Sequence, residues 1–227
     1  MKTTAINLAI SELITPSFET TRQHLEDHEL VIEAGQPVVV CVDENLPDAF
    51  VVYFQLKSVE YFLAIPVYQS EGTLKLGLAY LQAQIEMSFN VYSDALTPDE
   101  ISKQIGLSPT RVRYMGEPIK EGGKPLPHHF WSYGHEIGIP GDLNEKLANL
   151  IAILESVQEG ILGLAAVAKT AIRIYYVGNS DFFGGLHFDT EIIQRIAALG
   201  CDIDFGPYLS SPRGVLSTRN QGKSLCP

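Results

Sequence analysis

The segment QIEMSFNVYSDALTPDEISKQIG, residues 84–106, constrains the fold more than any other part of the chain. Ile85, Met87, Phe89 and Val91 alternate with Glu86, Ser88, Asn90 and Tyr92, the period-2 pattern of a half-buried strand. Thr97 then stands at a helix N-cap, with Pro98 at the first helical position, Glu100 three residues after the cap, and Gly106 where the helix must stop. Ile101 and Ile105, four residues apart, give this short helix one apolar face to lay on a sheet.

The same rules extend in both directions. Asp142, with Glu145 completing a capping box, opens the longest expected helix, whose apolar face comprises Leu143, Leu147, Leu150, Ile151, Leu154, Val157 and Ile161. AIRIYYV at 171–177 and GLHFDT at 185–190 read as strands, TEIIQRIAAL as a helix ended by Gly200, and CDIDF at 201–205 as the last strand. The helix words EISKQI (100–105) and EIIQRI (191–196), each between strands, hint at a duplicated, ferredoxin-like β-α-β unit. Before residue 83 the pattern is less regular. VVVCV (38–42), FVVYFQL (50–56) and VEYFLAIPV (59–67) are β-rich runs, the last two forming a hairpin around Lys57 and Ser58. Pro66 is expected at a strand end or on an edge, because it has no N–H for a ladder. In TPSFETTRQHLEDH, Thr15 is the expected N-cap of a helix with Pro16 at its first position. The resulting expectation is an α+β chain: a strand-rich region over residues 1–82, a mixed or antiparallel sheet backed by about three helices over 83–208, and a Ser-, Gly- and Pro-rich flexible tail over 209–227.

Composition excludes several function classes. Sixteen Lys and Arg against 27 Asp and Glu give a formal charge of −11, which repels phosphate backbones and anionic headgroups, so neither nucleic acid nor membrane is an expected partner. No run approaches the ~20 apolar residues of a membrane span. The N-terminal stretch is interrupted by Asn7, Ser11 and Glu12 and fails as a signal peptide. Cys41, Cys201 and Cys226 are odd in number and far apart, which points to a reducing, cytoplasmic setting.

The order of these pieces carries a resemblance. Strand 84–92, LTPDEISKQIGLSPTRVRYMGE, a strand bearing Trp131, the Leu-rich helix and IAALGCDIDFGPY together resemble the domain-of-unknown-function 4279 family, over roughly residues 83–208. The step from Ile105 to Thr110 and the Asp-Ile-Asp at 202–204 are its more distinctive parts. The resemblance implies a compact α+β fold of bacterial-type proteins with no settled activity, and it lends no active-site residues.

Three constellations bear on chemistry. HHFWSYGHE, residues 128–136, holds three of the six histidines. As a strand it sends His128 and His129 to opposite faces and separates His129 from His135 by about 20 Å at ~3.3 Å per residue. Two ligands of one zinc need nitrogens within about 4 Å, so no metal site is expected here unless a bend brings in His187 or Asp204. Asp202 and Asp204 share a strand face and form the alternative reading, a hydrolase using this carboxylate pair with a histidine, with or without metal assistance. The long connection at 108–127 is locally basic, with Arg111, Arg113, Lys120 and Lys124 against Glu117 and Glu121, and its glycines do not make a Walker loop. Arg111 and Arg113 on one face could clamp an anion bidentately. The expected function is therefore a non-enzymatic binding module for a protein partner, immunity-like or scaffolding, or for a small anion. Arg111, Arg113, Lys124 and Trp131 are the binding residues, and no cofactor is expected.

Overall fold

A computed structural model describes residues 1–70, 72–119, 123–135, 138–179 and 186–210, with the side chains of His135 and Ser210 also outside the description. The fold is α+β, and the chain divides into two compact units. Of the described residues, the first comprises 1–70, 72–83, 177–179 and 208–210, the second 84–119, 123–135, 138–176 and 186–207. No helix among the described residues is long and apolar enough to cross a membrane.

The first unit opens with two helices, α1 (Lys2–Ile14) and α2 (Glu19–Asp27), followed by the small hairpin β1 (Ile32–Glu33) and β2 (Gln36–Pro37). Thr15 is not the N-cap of α2; it is the C-cap of α1, and Phe18 precedes the first turn of α2. That turn is held from outside its own sequence, because the buried Glu12 carboxylate accepts from the Ser17 amide (2.9 Å), the Ser17 hydroxyl (2.5 Å) and the Phe18 amide (3.1 Å). Burial works to raise the Glu12 pKa, but these hydrogen bonds outweigh it and hold the group below the ordinary carboxylate value. Helix α1 was outside the sequence expectation. Its buried stripe is Ala5, Ala9 and Leu13, small side chains that give hydrophobic periodicity little signal.

The sheet of this unit contains β3 (Val39–Asp43), β4 (Ala49–Gln55), β5 (Phe62–Ser70), β6 (Thr73–Leu76) and β7 (Tyr80–Gln82), with β6 and β7 both pairing with β5. The β4–β5 hairpin forms as expected, with Ser58 in the left-handed region of its turn. Pro66, however, lies inside the central strand rather than at an end or edge. It is tolerated because β6 pairing stops at Val67 and β7 pairing starts at Ala64. The Pro66 carbonyl accepts from the Gly77 amide at 2.8 Å, so the missing N–H points to the same interrupted side. One sheet face, with Val52, Phe54, Leu63, Ile65 and Val67, packs on α1 and α2.

A buried polar chain also lies in this unit. The His28 Nδ1–H donates to the His24 carbonyl (3.1 Å), which leaves Nε2 to accept from the Tyr61 hydroxyl (3.0 Å). The Asn179 amide donates to the same phenol oxygen at 3.4 Å.

The second unit is built on β8 (Gln84–Ser93), α3 (Pro98–Ile105), β9 (Arg111–Arg113), β10 (His129–His135), α4 (Leu143–Glu155), α5 (Gln158–Leu162), β11 (Lys169–Asn179), α6 (Thr190–Ala198) and β12 (Asp202–Ser210). The sheet order is β12-β11-β8-β10-β9. Helix α3 has the complete capping box between Thr97 and Glu100, and Gly106 ends it at φ +83°, a conformation only glycine adopts without cost. Asp142 caps α4 by accepting from the Asn144 and Glu145 amides.

Four expectations need correction. The long helix breaks after Glu155, and α5 starts afresh at Gln158. This lets Gly160 press against α3, where a Cβ would stand 2.5 Å from the Gln104 carbonyl oxygen. Among the described residues four helices therefore accompany the sheet, the long one counting as two. GLHFDT is no strand over its described residues 186–190, because Asn144 of α4 occupies its backbone: the amide donates to the His187 carbonyl (3.2 Å) and the side-chain oxygen accepts from the Asp189 amide (3.5 Å). The two β-α-β units are not equivalent either, since β11 and β12 are neighbours whereas β10 separates β8 from β9. Finally, β12 continues through Pro207 to Ser210, and the tail from residue 211, Cys226 included, lies outside the described residues.

Candidate binding site at the sheet edge

The site begins with the two faces of β10. Trp131 is fully buried, meets Phe89 edge-on at 6.1 Å, and donates its indole N–H to the Ser102 hydroxyl of α3 at 2.9 Å. The tryptophan expected to contact a ligand is thus a core residue that fastens α3 to the sheet. Its histidine neighbours diverge, as a strand requires. His128 Nδ1 meets the Asp94 carboxylate, and His129 Nδ1 accepts from the Met115 amide at 3.1 Å. His187 pairs with Asp189 (3.2 Å), and among the described residues no group of three His, Cys, Asp or Glu side chains could hold a metal ion.

Strand β9 is the edge of the sheet, with Arg111, Val112 and Arg113 standing opposite Ser132, Trp131 and Phe130. The two arginines share a face, as the sequence implies. On that face Arg111 continues a row through Ser132 to Asn90, where the Ser132 hydroxyl donates to the Asn90 side-chain oxygen at 2.7 Å. Arg113 continues the next row, through Phe130 to Tyr92, whose rings are 5.3 Å apart.

The connection after β9 is an organised arm. The Gly116 amide donates to the Leu126 carbonyl, the Leu126 amide to Glu117, and the Ile119 amide to Lys124 at 3.1 Å. Arg113 is spent on this arm, donating from Nη1 to the Ile119 carbonyl at 2.9 Å. Tyr114 ties the arm's base to α3 by donating to the Asp99 carboxylate at 3.2 Å, an acceptor that pushes the phenol's pKa up. Arg111 and Lys124 are exposed and, among the described residues, make no ion pair or side-chain hydrogen bond. Lys120 and Glu121 lie outside the described residues. Beside the two free cations stand Val112, Met115 and Ile119, exposed at 38%, 48% and 43%. These apolar side chains were missed by the sequence reading, although RVRYMGEPI is unusually apolar for a solvent-facing connection.

The carboxylate pair has a different environment. Asp202 stands 3.5 Å from Lys169, and Asp204 stands 3.6 Å from Arg173, all four groups being largely solvent-exposed. Each acid is neutralised by its own base, an ion-pair ladder rather than two carboxylates sharing a proton. Burial pushes the Cys201 thiol up, which disfavours a nucleophilic thiolate.

No curated protein and no solved structure matches the chain. The match over residues 83–210, more than half of the chain, covers the sheet, the four helices and the basic arm, and on it the chain belongs to the family described as Domain of unknown function (DUF4279).

Proposed function

We propose that the second unit is a binding module that takes an acidic, extended segment of a partner protein along β9 and its arm. The observation that carries this reading is a sheet edge that no further strand pairs among the described residues, bearing Arg111, which has no partner among them, and exposed Val112, with Met115, Ile119 and Lys124 alongside, on a protein of formal charge −11. A sheet edge supplies backbone donors and acceptors to an added strand, while alternate side chains supply specificity. The apolar neighbours favour a peptide over a small anion, and a two-arginine anion clamp is disfavoured because Arg113 already serves the Ile119 carbonyl. The reading places the protein in the cytoplasm, where Cys41 and Cys201 persist as thiols.

Fluorescence anisotropy with a labelled peptide alternating Glu and Val, set against its Lys-for-Glu counterpart, tests the reading. The acidic peptide should bind, more weakly as salt rises, and Arg111→Ala should weaken it more than about tenfold, one charged hydrogen bond contributing roughly 1.5–3 kcal/mol. Equal binding of the basic peptide, or an unchanged affinity in Arg111→Ala, would refute it.

A further inference from the structure

The sheet of the second unit has two edges, and they carry opposite charge in the same pattern. At one end stands β9, where exposed Arg111 and half-buried Arg113 share a face and exposed Val112 takes the other. At the other end stands β12, where Asp202 and Asp204 share a face and Ile203, 42% exposed, takes the other. Each edge thus runs charged, apolar, charged over three residues, basic on β9 and acidic on β12.

The two charged rows lie on the same side of the sheet. Arg111 and Arg113 stand opposite Ser132 and Phe130, on the face of β10 away from buried Trp131 and α3. Asp202 and Asp204 meet Lys169 and exposed Arg173 of β11, whereas Ile172 and Ile174, on either side of Arg173, are fully buried. The helices cover the buried side, so both rows face away from them.

Both edges are accessible. Among the described residues no strand pairs with the outer side of either, and residues 202–204 are exposed throughout. Arg111 has no partner among those residues. The aspartates do have partners, but at 3.5 and 3.6 Å these are exposed ion pairs beyond the usual hydrogen-bond range, and a carboxylate offers about four acceptor sites. Each can therefore accept from a second cation while keeping its first.

Charge decides which edges can meet. Pairing β9 with β9 would bring arginines together, and pairing β12 with β12 would bring aspartates together, both of which destabilise a strand pair. Pairing β9 with β12 places opposite charges side by side on one face and Val112 beside Ile203 on the other. We infer that the segment taken by β9 is β12 of a second copy of this chain, so that the sheet continues from molecule to molecule. This rests on the β9 reading and names its occupant. Because the two edges lie at opposite ends of one sheet, the contact is head-to-tail, and each copy keeps one edge open for the next. The formal charge of −11 on each copy opposes association at long range, but that repulsion is screened beyond ~8 Å at physiological salt, whereas the edge charges meet in contact. A contact only a few residues long also falls below the ~1,200 Å² of standard complexes. Association is accordingly weak and concentration-dependent.

Sedimentation equilibrium of the full chain in physiological salt, from micromolar to millimolar concentration, tests the pairing. The weight-average mass should rise with concentration and show no plateau at two chains. Arg111→Glu, and separately the double variant Asp202→Lys with Asp204→Lys, put like charges at the junction and should remain monomeric with unchanged far-UV spectra. Mixed one to one, the two variants present opposite charges at both junctions, and association should return. A parent that stays monomeric, a plateau at two chains, an assembly that neither variant disrupts, or a mixture that stays monomeric would each overturn the inference. The labelled peptide alternating Glu and Val separates this from the reading beneath it. Peptide binding by a monomeric parent removes the self-pairing and leaves the β9 site standing, whereas failure of both the parent and the double variant to bind the peptide removes the β9 site as well.

Discussion

Replacing Gly160 by alanine isolates the contact that breaks the long helix in two. In an ordinary helix this change stabilises by about 0.5–1 kcal/mol, because alanine loses less backbone freedom on folding. Here the new Cβ would meet the Gln104 carbonyl oxygen at 2.5 Å and the Ile105 Cα at 2.9 Å, both backbone atoms of the last turn of α3. Neither can rotate away, so α5 must move off α3, and overpacking of this kind costs roughly 1–3 kcal/mol. At the middle of both ranges the clash wins, with a net loss of about 1 kcal/mol. Gly163, the C-cap of the same helix, is the internal control. Its Cβ would meet the Gln104 side-chain nitrogen at 2.9 Å, the end of a flexible chain that can swing aside, so Gly163→Ala should be neutral or stabilising by up to about 1 kcal/mol. Trp131 is the chain's one tryptophan and its indole is bonded to α3, so its fluorescence reports unfolding of the second unit. In urea, the Gly160→Ala midpoint should fall by about 0.5 M for a slope near 2 kcal/mol per M, with the slope unchanged. A Gly160→Ala midpoint at or above that of the parent, or an equal fall in Gly163→Ala, would refute the close-approach argument.

Two further outcomes concern the first unit. Glu12 has a folded pKa below its ordinary value, so its stabilisation is present above about pH 4.3 and is lost as pH falls through the folded pKa. Glu12→Gln should therefore cost roughly 1.5–3 kcal/mol near neutrality, with the difference from the parent shrinking in acid when thermal melts are followed by circular dichroism. His24 is held below its ordinary value by burial and then by His28, while the Ala79 backbone and Asp27 oppose the shift. Its contribution is accordingly full above about pH 6.5 and is lost as pH falls from there through the lowered value. His24→Gln should flatten the melting temperature between about pH 6.5 and 5; a parent whose melting temperature is already flat there would contradict this.

Where the sequence was legible, the signal was local. The β8 alternation, the Thr97–Glu100 capping box, the Gly106 stop and the Asp142 cap all appear at the expected residues, because each depends on side chains within about four positions of one another. The same holds for the pairing of Arg111 and Arg113 on one face, which follows from strand periodicity alone. Helix α1 was missed because alanines carry its stripe, and the first turn of α2 because its capping carboxylate, Glu12, sits on the preceding helix.

Tertiary partners decided the rest. Trp131 is a core anchor because α3 brings Ser102 over it, Pro66 survives in a central strand because β6 and β7 leave a gap beside it, and Asn144 keeps 186–189 out of the sheet. Among the described residues Arg111 has no partner while Arg113 is committed, a distinction set by where the arm folds back to place the Ile119 carbonyl. Residue order determines which faces and caps a segment offers, through interactions spanning one turn or one strand pair. Which groups occupy those faces depends on contacts tens of residues away, and only the folded chain brings them within hydrogen-bonding distance.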